Sequence, residues 1–450
     1  MTEKEAANAV AVDSKPSVVF DRDRVRVWRG DCRDVLATLA DASVDAIVTD
    51  PPYDLTGAGA GGFMGKAWDA TGIAFNVDMW RQCLRVLKPG GHLIAFGGTR
   101  TSHRMVCAIE DAGFEIRDTI EWLYSGAVKA HDVSKQIDKN AGVKRERVVN
   151  PRWAERYPNG PGGNKSGGDH AATIHQLKHV SGNPLEMTLP ATDAAKEWAG
   201  WYTALKPAHE PAVLARKPFD ETVAENVLTH GTGAMNIDAC RVQFANAEDE
   251  RESKAKNQHG SFGSGPRDNK IFGDVTSDRA NYVATGRWPA NVILGCACEG
   301  DVHDPECAVA LLDAQGGVTT SRPGQPRRAA AGPGWGMTAT GTEYADMGGV
   351  SRFYYCAKAS PAERGDYNTH TTVKPVALMR YLCRLVTPPG GIVLDPFAGS
   401  GSTLIAALKE SFQSIGIERE AEHVEIVTTR LSEATAQGDL FRNLAPGDDG

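Results

Sequence analysis

Residues 392–403 read Ile392-Val393-Leu394-Asp395-Pro396-Phe397-Ala398-Gly399-Ser400-Gly401-Ser402-Thr403. A short apolar run passes into a glycine-bearing loop and then into a helix-forming stretch at 403–410. Such a run, bounded by turn residues, is a buried strand. Glycines let the backbone approach a ligand closely, and a helix start presents N–H groups with no partner inside the helix. The next strand, Ser414-Ile415-Gly416-Ile417-Glu418, ends on an acidic residue 23 positions after Asp395. In a doubly wound α/β sheet, a carboxylate at that place binds a ribose hydroxyl pair. The stretch lacks the full G-x-G-x-x-G pattern and a P-loop lysine, so a plain strand–turn–helix corner is the alternative.

Toward the N-terminus the same alternation of strands and helices recurs. Val44-Asp45-Ala46-Ile47-Val48-Thr49 reads as a buried strand running into Asp50-Pro51-Pro52-Tyr53. Consecutive prolines stop a strand, so this turn falls at its carboxyl end, where ligands sit in open α/β sheets. The Asp50 carboxylate and the Pro51 carbonyl can accept hydrogen bonds, and Tyr53 offers a stacking face; a simple strand-breaking turn is the alternative. A helical pattern through Met79, Trp80, Cys83, Leu84 and Leu87 ends at Lys88-Pro89-Gly90-Gly91, and His92–Phe96 is the next strand. A helix at 105–112 and a strand at 116–123 complete this half. Alternation of this kind predicts an α/β sheet.

From about residue 126 the periodicity fades. Gly, Pro, Asn, Lys and Arg cluster, above all at 157–169, 257–270 and 320–336. Residues 126–180 hold ten Lys and Arg against five Asp and Glu. With Trp153, Tyr157 and His170, that stretch can follow phosphates, and a solvated loop fits equally well. So long an irregular stretch does not suit one compact domain. The expected organisation is a tail at 1–24, a catalytic half at 25–125, an inserted domain at 126–350, a cofactor half at 351–436 and a tail at 437–450. Trp198 and Trp201 read as core.

The 450 residues carry 49 Lys and Arg against 57 Asp and Glu, a formal net charge of −8, which argues against a globally basic nucleic-acid binder but not a local basic surface. Nine scattered cysteines do not form a secreted disulfide framework. No signal peptide or membrane-length apolar run is visible, and a cytoplasmic protein is expected. Cys296, Cys298, His303 and Cys307 form a C-x-C-x4-H-x3-C pattern. Three thiols and an imidazole make a tetrahedral zinc set, and free cysteines are the even alternative. The others, Cys32, Cys83, Cys107, Cys240, Cys356 and Cys383, read as core.

Taken together, the motifs resemble those of β-class amino-group DNA methyltransferases. Asp50-Pro51-Pro52-Tyr53 is similar to their catalytic motif, and Asp395–Gly401 to their S-adenosylmethionine motif. The catalytic motif comes first, as in the β class. His370-Thr371-Thr372-Val373-Lys374-Pro375 resembles the His-Pro-Thr-x-Lys-Pro element that lines the methionine end, with Thr371 replacing the usual proline. Gly30-Asp31-Cys32 resembles the element contacting the adenine of the cofactor. The segments 203–207 and 287–291 resemble those of phage and prophage members.

The resemblance implies a sequentially permuted, doubly wound Rossmann-like methyltransferase sheet with an inserted target-recognition domain. It implies catalytic roles for Asp50, Pro51, Pro52 and Tyr53. It implies cofactor contacts from Asp31, His370, Thr372, Lys374, Asp395, Pro396, Phe397, Gly399, Ser400, Gly401, Thr403 and Glu418. The implied reaction moves a methyl from S-adenosylmethionine to adenine N6 of a flipped-out base in double-stranded DNA. Cytosine N4 is the alternative target, ahead of RNA, a protein amide or a non-catalytic DNA binder. A homodimer stays open, as does a role in restriction-modification.

Overall fold

The computed structural model describes residues 15–55, 67–124, 130–151, 186–244, 250, 285–296, 298, 303–305, 307–320, 347–358, 367–370 and 373–444. The stretches read as loops at 157–169 and 257–270, nearly all of 320–336, and Thr371, Thr372, Trp153, Tyr157 and His170 lie outside the described residues.

The strands are β1 (Ser17–Arg22), β2 (Val25–Arg29), β3 (Val44–Thr49), β4 (Leu87–Phe96), β5 (Glu115–Leu123), β6 (Arg147–Val149), β7 (Glu186–Thr188), β8 (His209–Arg216), β9 (Val292–Cys296), β10 (Thr319–Thr320), β11 (Met347–Gly348), β12 (Tyr355–Lys358), β13 (Ile392–Asp395) and β14 (Gln413–Glu418). Ten of them form one sheet in the order β1-β2-β14-β13-β3-β4-β8-β5-β9-β12. Neighbours from β2 to β4 are parallel, as are β5, β9 and β12; β1 and β8 run against their neighbours. This is the α/β sheet expected from sequence.

β3 forms the middle because every one of its residues is apolar, small or locally paired, and all six are buried. Ala46 and Val48 face one core layer and Ile47 the other, as strand pleating requires. The acidic exception, Asp45, accepts from Ile392 N at 2.8 Å and pairs with Lys88 Nζ at 2.6 Å. A buried carboxylate is tolerable only when held in this way.

The chain leaves the central pair β13 and β3 toward opposite faces. After β13, the helix Ser402–Lys409 packs Leu404, Ile405 and Ala406 into one layer; after β3, the helix Val77–Val86 packs Met79, Trp80 and Cys83 into the other. A crevice opens at the carboxyl ends of two such strands.

Several sequence assignments need correcting. Residues 17–22, read as tail, form β1, because Phe20 finds a buried place beside β2. The last helix runs from Ala421 to Leu444 rather than ending at 436. β4 begins at Leu87, so the Lys88-Pro89-Gly90-Gly91 stop signal lies inside a strand, whose pairing with β3 shifts between Val44 and Ala46. Within 126–350, β8 and β9 join the sheet, carried by the short buried runs Ala212–Ala215 and Ile293–Leu294. Cys107 is exposed rather than core.

Two compact units result: Met1–Ser125 with His209–Gly450, and Gly126–Ala208. In the second, β6 pairs with β7 and the helix Val133–Asn140 packs on Asp193–Glu197. The Asp138 carboxylate accepts from Ala191 N and Thr192 N at 3.0 Å each, which joins the two helices. Trp198 and Trp201, read as core, are exposed and meet edge to face at 5.2 Å.

Ile47→Ala should destabilise the first unit by about 2–5 kcal/mol, since the fully buried side chain leaves a cavity that the paired strands cannot close. Chemical denaturation of the wild type and the variant checks this.

Candidate active site

The glycine corner is braced from below. Thr49 Oγ1 donates to Asp395 Oδ1 at 2.6 Å, and Phe397 N donates to the same oxygen at 3.1 Å. Burial still pushes the Asp395 carboxyl up to about 6. Asp395, Pro396 and Phe397 therefore turn the chain at the end of β13. Gly399 and Gly401 both have positive φ, +51° and +81°. A Cβ on Gly399 would lie 3.1 Å from the His370 ring, and one on Gly401 2.4 Å from Val427 Cγ2. Only glycine fits these two positions.

Glu418 closes the corner. Its Oε2 accepts from Gly399 N and its Oε1 from Glu420 N, each at 2.8 Å. Each oxygen keeps acceptor capacity for a hydroxyl. Ser400, Ser402 and Thr403 are buried, and Arg430 donates to Ser400 O at 2.6 Å from the last helix. His370 sits over Gly399 with its ring 4.4 Å from that of His423. Asp31 lies at the end of the neighbouring β2. Its carboxylate caps the helix Cys32–Thr38 through Arg33 N and grips the Arg33 guanidinium at 2.9 Å, which holds it below the usual carboxylate range.

The Asp-Pro-Pro-Tyr corner ends β3, the next strand. Its loop is pinned by Asp69, which accepts from Tyr53 N and Asp54 N, and by Thr101 Oγ1, which donates to Tyr53 O at 2.6 Å. Into it reaches Lys374 from the far side of the chain. Lys374 Nζ lies 2.5 Å from Asp50 Oδ2, 3.0 Å from Glu210 Oε2 and 3.0 Å from Tyr53 Oη. Tyr53 donates to Glu210 Oε2 at 2.7 Å, and Tyr124 to Glu210 Oε1 at 3.1 Å. Among the described residues, buried Asp50 Oδ1 has no hydrogen-bond partner.

Charge is finely divided here. Burial pushes the Asp50 carboxyl up, the Lys374 ammonium opposes that, and the Glu210 carboxylate adds to the rise. Burial also acts on Glu210, but Lys374 and the tyrosine hydrogen bonds outweigh it, so Glu210 stays ionised below its ordinary value. Burial and the two carboxylates push the Tyr53 phenol far up, which keeps it a neutral donor. Lys374, though buried, stays protonated because both carboxylates flank it.

Lys374 thus stands against the Asp-Pro-Pro-Tyr corner, whereas the sequence resemblance placed it at the methionine end of the cofactor. Glu210, Tyr124, Thr49 and Arg430 were not singled out in the sequence. For Glu210 a signal exists: it precedes the apolar run Pro211–Ala215. Because β8 is antiparallel, the start of that strand falls at the carboxyl edge of β4, with Ala212 opposite Phe96.

A glycine corner and an Asp-Pro-Pro-Tyr corner on adjacent strands define an α/β methyltransferase of the amino-group class. A family profile described as DNA methylase, of the N6/N4 type, matches residues 44–429, and the chain belongs to this family. The Type II methyltransferase M.HindIII of Haemophilus influenzae is 21% identical over 359 residues, 79% of this chain and 68% of that protein. The DNA adenine methyltransferase YhdJ of Escherichia coli is 40% identical over 70 residues, 16% of this chain and 24% of that protein. Among solved structures, the M1.HpyAVI–SAM complex aligns over 90% of this chain and 98% of its own, with 15% identity and a TM-score of 0.34. PvuII DNA methyltransferase (cytosine-N4-specific) aligns over 92% and 90%, with 12% identity and a TM-score of 0.39.

Gly401→Ala should cost about 1–3 kcal/mol, from a strained backbone and the clash with Val427; a thermal melt beside the wild type reads it. Lys374→Met removes the charge that holds the Asp50 carboxyl down. The acid limb of the methylation rate should then move to higher pH, because Asp50 takes up a proton earlier as pH falls. Single-turnover rates across pH measure that shift, and an unmoved limb would mean that Asp50 does not titrate in it.

Proposed function

We propose that the chain transfers a methyl group from S-adenosylmethionine to N6 of adenine in double-stranded DNA, the base being flipped out of the helix. The observation that carries this reading is Asp50 Oδ1, a buried acceptor with no partner among the described residues, beside a tyrosine face. A buried acceptor without a donor is costly in a folded protein, and an incoming amino group relieves it.

The residues of the glycine corner suit the cofactor. Two glycines leave room where side chains would fill it, and Glu418 retains acceptor capacity for a ribose hydroxyl. His370, Gly399, Ser400, Gly401 and Thr403 would hold it from the β13 side, with Asp31 toward the adenine. When bound, S-adenosylmethionine supplies an electrophilic methyl carbon on a sulfonium. With Lys374 at +1 and Asp50 and Glu210 each at −1, the net −1 of this cluster favours a neighbouring cation.

An exocyclic amine is a poor nucleophile because its lone pair is delocalised into the ring. Asp50 Oδ1 and the Pro51 carbonyl would accept the two N–H groups and favour a pyramidal nitrogen, whose lone pair then points in line at the methyl. Tyr53, with its hydroxyl tied to Glu210, would hold its ring against the base. As the new N–C bond forms, the methyl–sulfur bond would break with its electron pair left on the sulfur of S-adenosylhomocysteine, and the amino nitrogen would become cationic; Asp50 would stabilise that charge, and the surplus proton would leave through it to water. Lys374 and Glu210 keep Asp50 and Tyr53 in place. Thr372, from the same element as Lys374, belongs to this proposal by sequence alone. The adenine choice rests on Asp at position 50 within the resemblance and on the YhdJ match.

Purified protein, S-adenosylmethionine and mixed-sequence duplex DNA, followed by nucleoside mass spectrometry, test this. N6-methyladenine is expected. N4-methylcytosine would overturn the target base and leave the chemistry. Asp50→Ala should lower the rate by about 100-fold or more while cofactor affinity is kept; an Asp50→Ala enzyme as fast as the wild type would sink the mechanism.

A further inference from the structure

The cluster at the end of β9 lies outside the residues assigned to methyl transfer. Cys296 closes that strand, Cys298 and His303 lie on the loop beyond it, and Cys307 caps the helix Ala308–Gly316. The four ligand atoms lie within 4.8 Å of one another. Cys296 Sγ is 3.3 Å from His303 Nδ1 and 3.7 Å from Cys307 Sγ, and Cys307 Sγ is 3.7 Å from the same Nδ1. A tetrahedral zinc with Zn–S of about 2.3 Å and Zn–N of about 2.0 Å sets its sulfurs about 3.8 Å apart and sulfur and nitrogen about 3.5 Å apart. The three edges among Cys296, His303 and Cys307 match that tetrahedron, and Cys298 Sγ lies within 4.8 Å of all three. A disulfide needs sulfurs about 2.05 Å apart, so these are not bonded pairs.

A second observation points the same way. Cys298 N donates to Cys296 Sγ and Asp304 N to Cys298 Sγ, both at 3.2 Å. Backbone N–H groups aimed at sulfur stabilise thiolates, the form that binds metal. The cluster also needs a fastener. Among the described residues, the core it belongs to has Leu294, Cys296, Cys307 and Val309 fully buried, with a half-buried fringe that includes Leu123, Val292 and Leu312. So small an apolar patch does not hold a helix against an edge of the sheet unaided.

We propose that Cys296, Cys298, His303 and Cys307 bind one structural zinc ion, which fastens the helix Ala308–Gly316 to the end of β9. Three thiolates and one imidazole in tetrahedral array select zinc over the hard cations Mg²⁺ and Ca²⁺. All four positions are filled by protein, so no place remains for substrate or catalytic water. The staple acts near the catalytic corner through two contacts. β9 pairs with β5 through Ile293 and Trp122, and Trp122 stacks at 4.7 Å on Tyr124, a donor to Glu210.

The test uses the full chain, produced with zinc in the medium and desalted. Elemental analysis should give about one zinc per chain, and titrating the thiols with a mercurial should release it. Cobalt substituted for zinc should show sulfur-to-cobalt charge-transfer absorption and the intense d–d bands of a tetrahedral site. His303→Ala should lower retained zinc at least tenfold after dialysis against a chelator. Wild-type protein with under a tenth of an equivalent of zinc, or with iron in its place, would overturn the assignment. So would a folded His303→Ala protein that retains its full zinc. If His303→Ala is insoluble, the wild-type metal content and cobalt spectrum decide by themselves.

Discussion

Lys374 between Asp50 and Glu210 is the contact on which the arrangement turns. The lysine comes from the segment before β13, Asp50 from the end of β3, and Glu210 from the start of β8. Three segments far apart in the chain thus converge on one buried cation. Removing Lys374 would leave two carboxylates without a counter-charge in a poorly solvated place, which costs several kcal/mol. The cluster orders the Asp-Pro-Pro-Tyr corner, and it does so with a surplus carboxylate. That surplus adds to the burial that raises the Asp50 carboxyl, while Tyr53 is held as a donor.

The sheet explains why these segments meet. β13 and β3 are neighbours whose helices depart to opposite faces, so both loops open at one edge. The antiparallel β8 brings its beginning, rather than its end, to that edge. One reversed strand therefore adds a carboxylate to a site otherwise built from strand ends.

Much of this was legible in the residues. Val44–Thr49 followed by two prolines and Ile392–Asp395 followed by glycines each marked a strand end with a special turn. Patterns of that kind are local, and local order is what a sequence displays. The rest was not legible because it depends on partners distant in the chain. Glu210 looks like any acid at a strand start until β8 is known to run backward. Trp198 and Trp201 look like core residues until their small unit is seen to leave them exposed. Lys88-Pro89-Gly90-Gly91 reads as a break, yet Gly90 N finds Lys217 O at 3.1 Å and Lys217 N finds Gly91 O at 2.9 Å, so the strand continues across it.

The position of β13 and β14 has a consequence for assembly. They stand between β2 and β3, two strands made some 350 residues earlier. During synthesis the N-terminal strands emerge with no partner for their inner edges, and the gap closes only when nearly the whole chain is available. Contacts of such long sequence separation form slowly, and unpaired edges invite misassociation meanwhile. Losing residues 392–418 would split the sheet between β2 and β3 rather than trim its margin, so a stop or frameshift ahead of them would act on the entire fold.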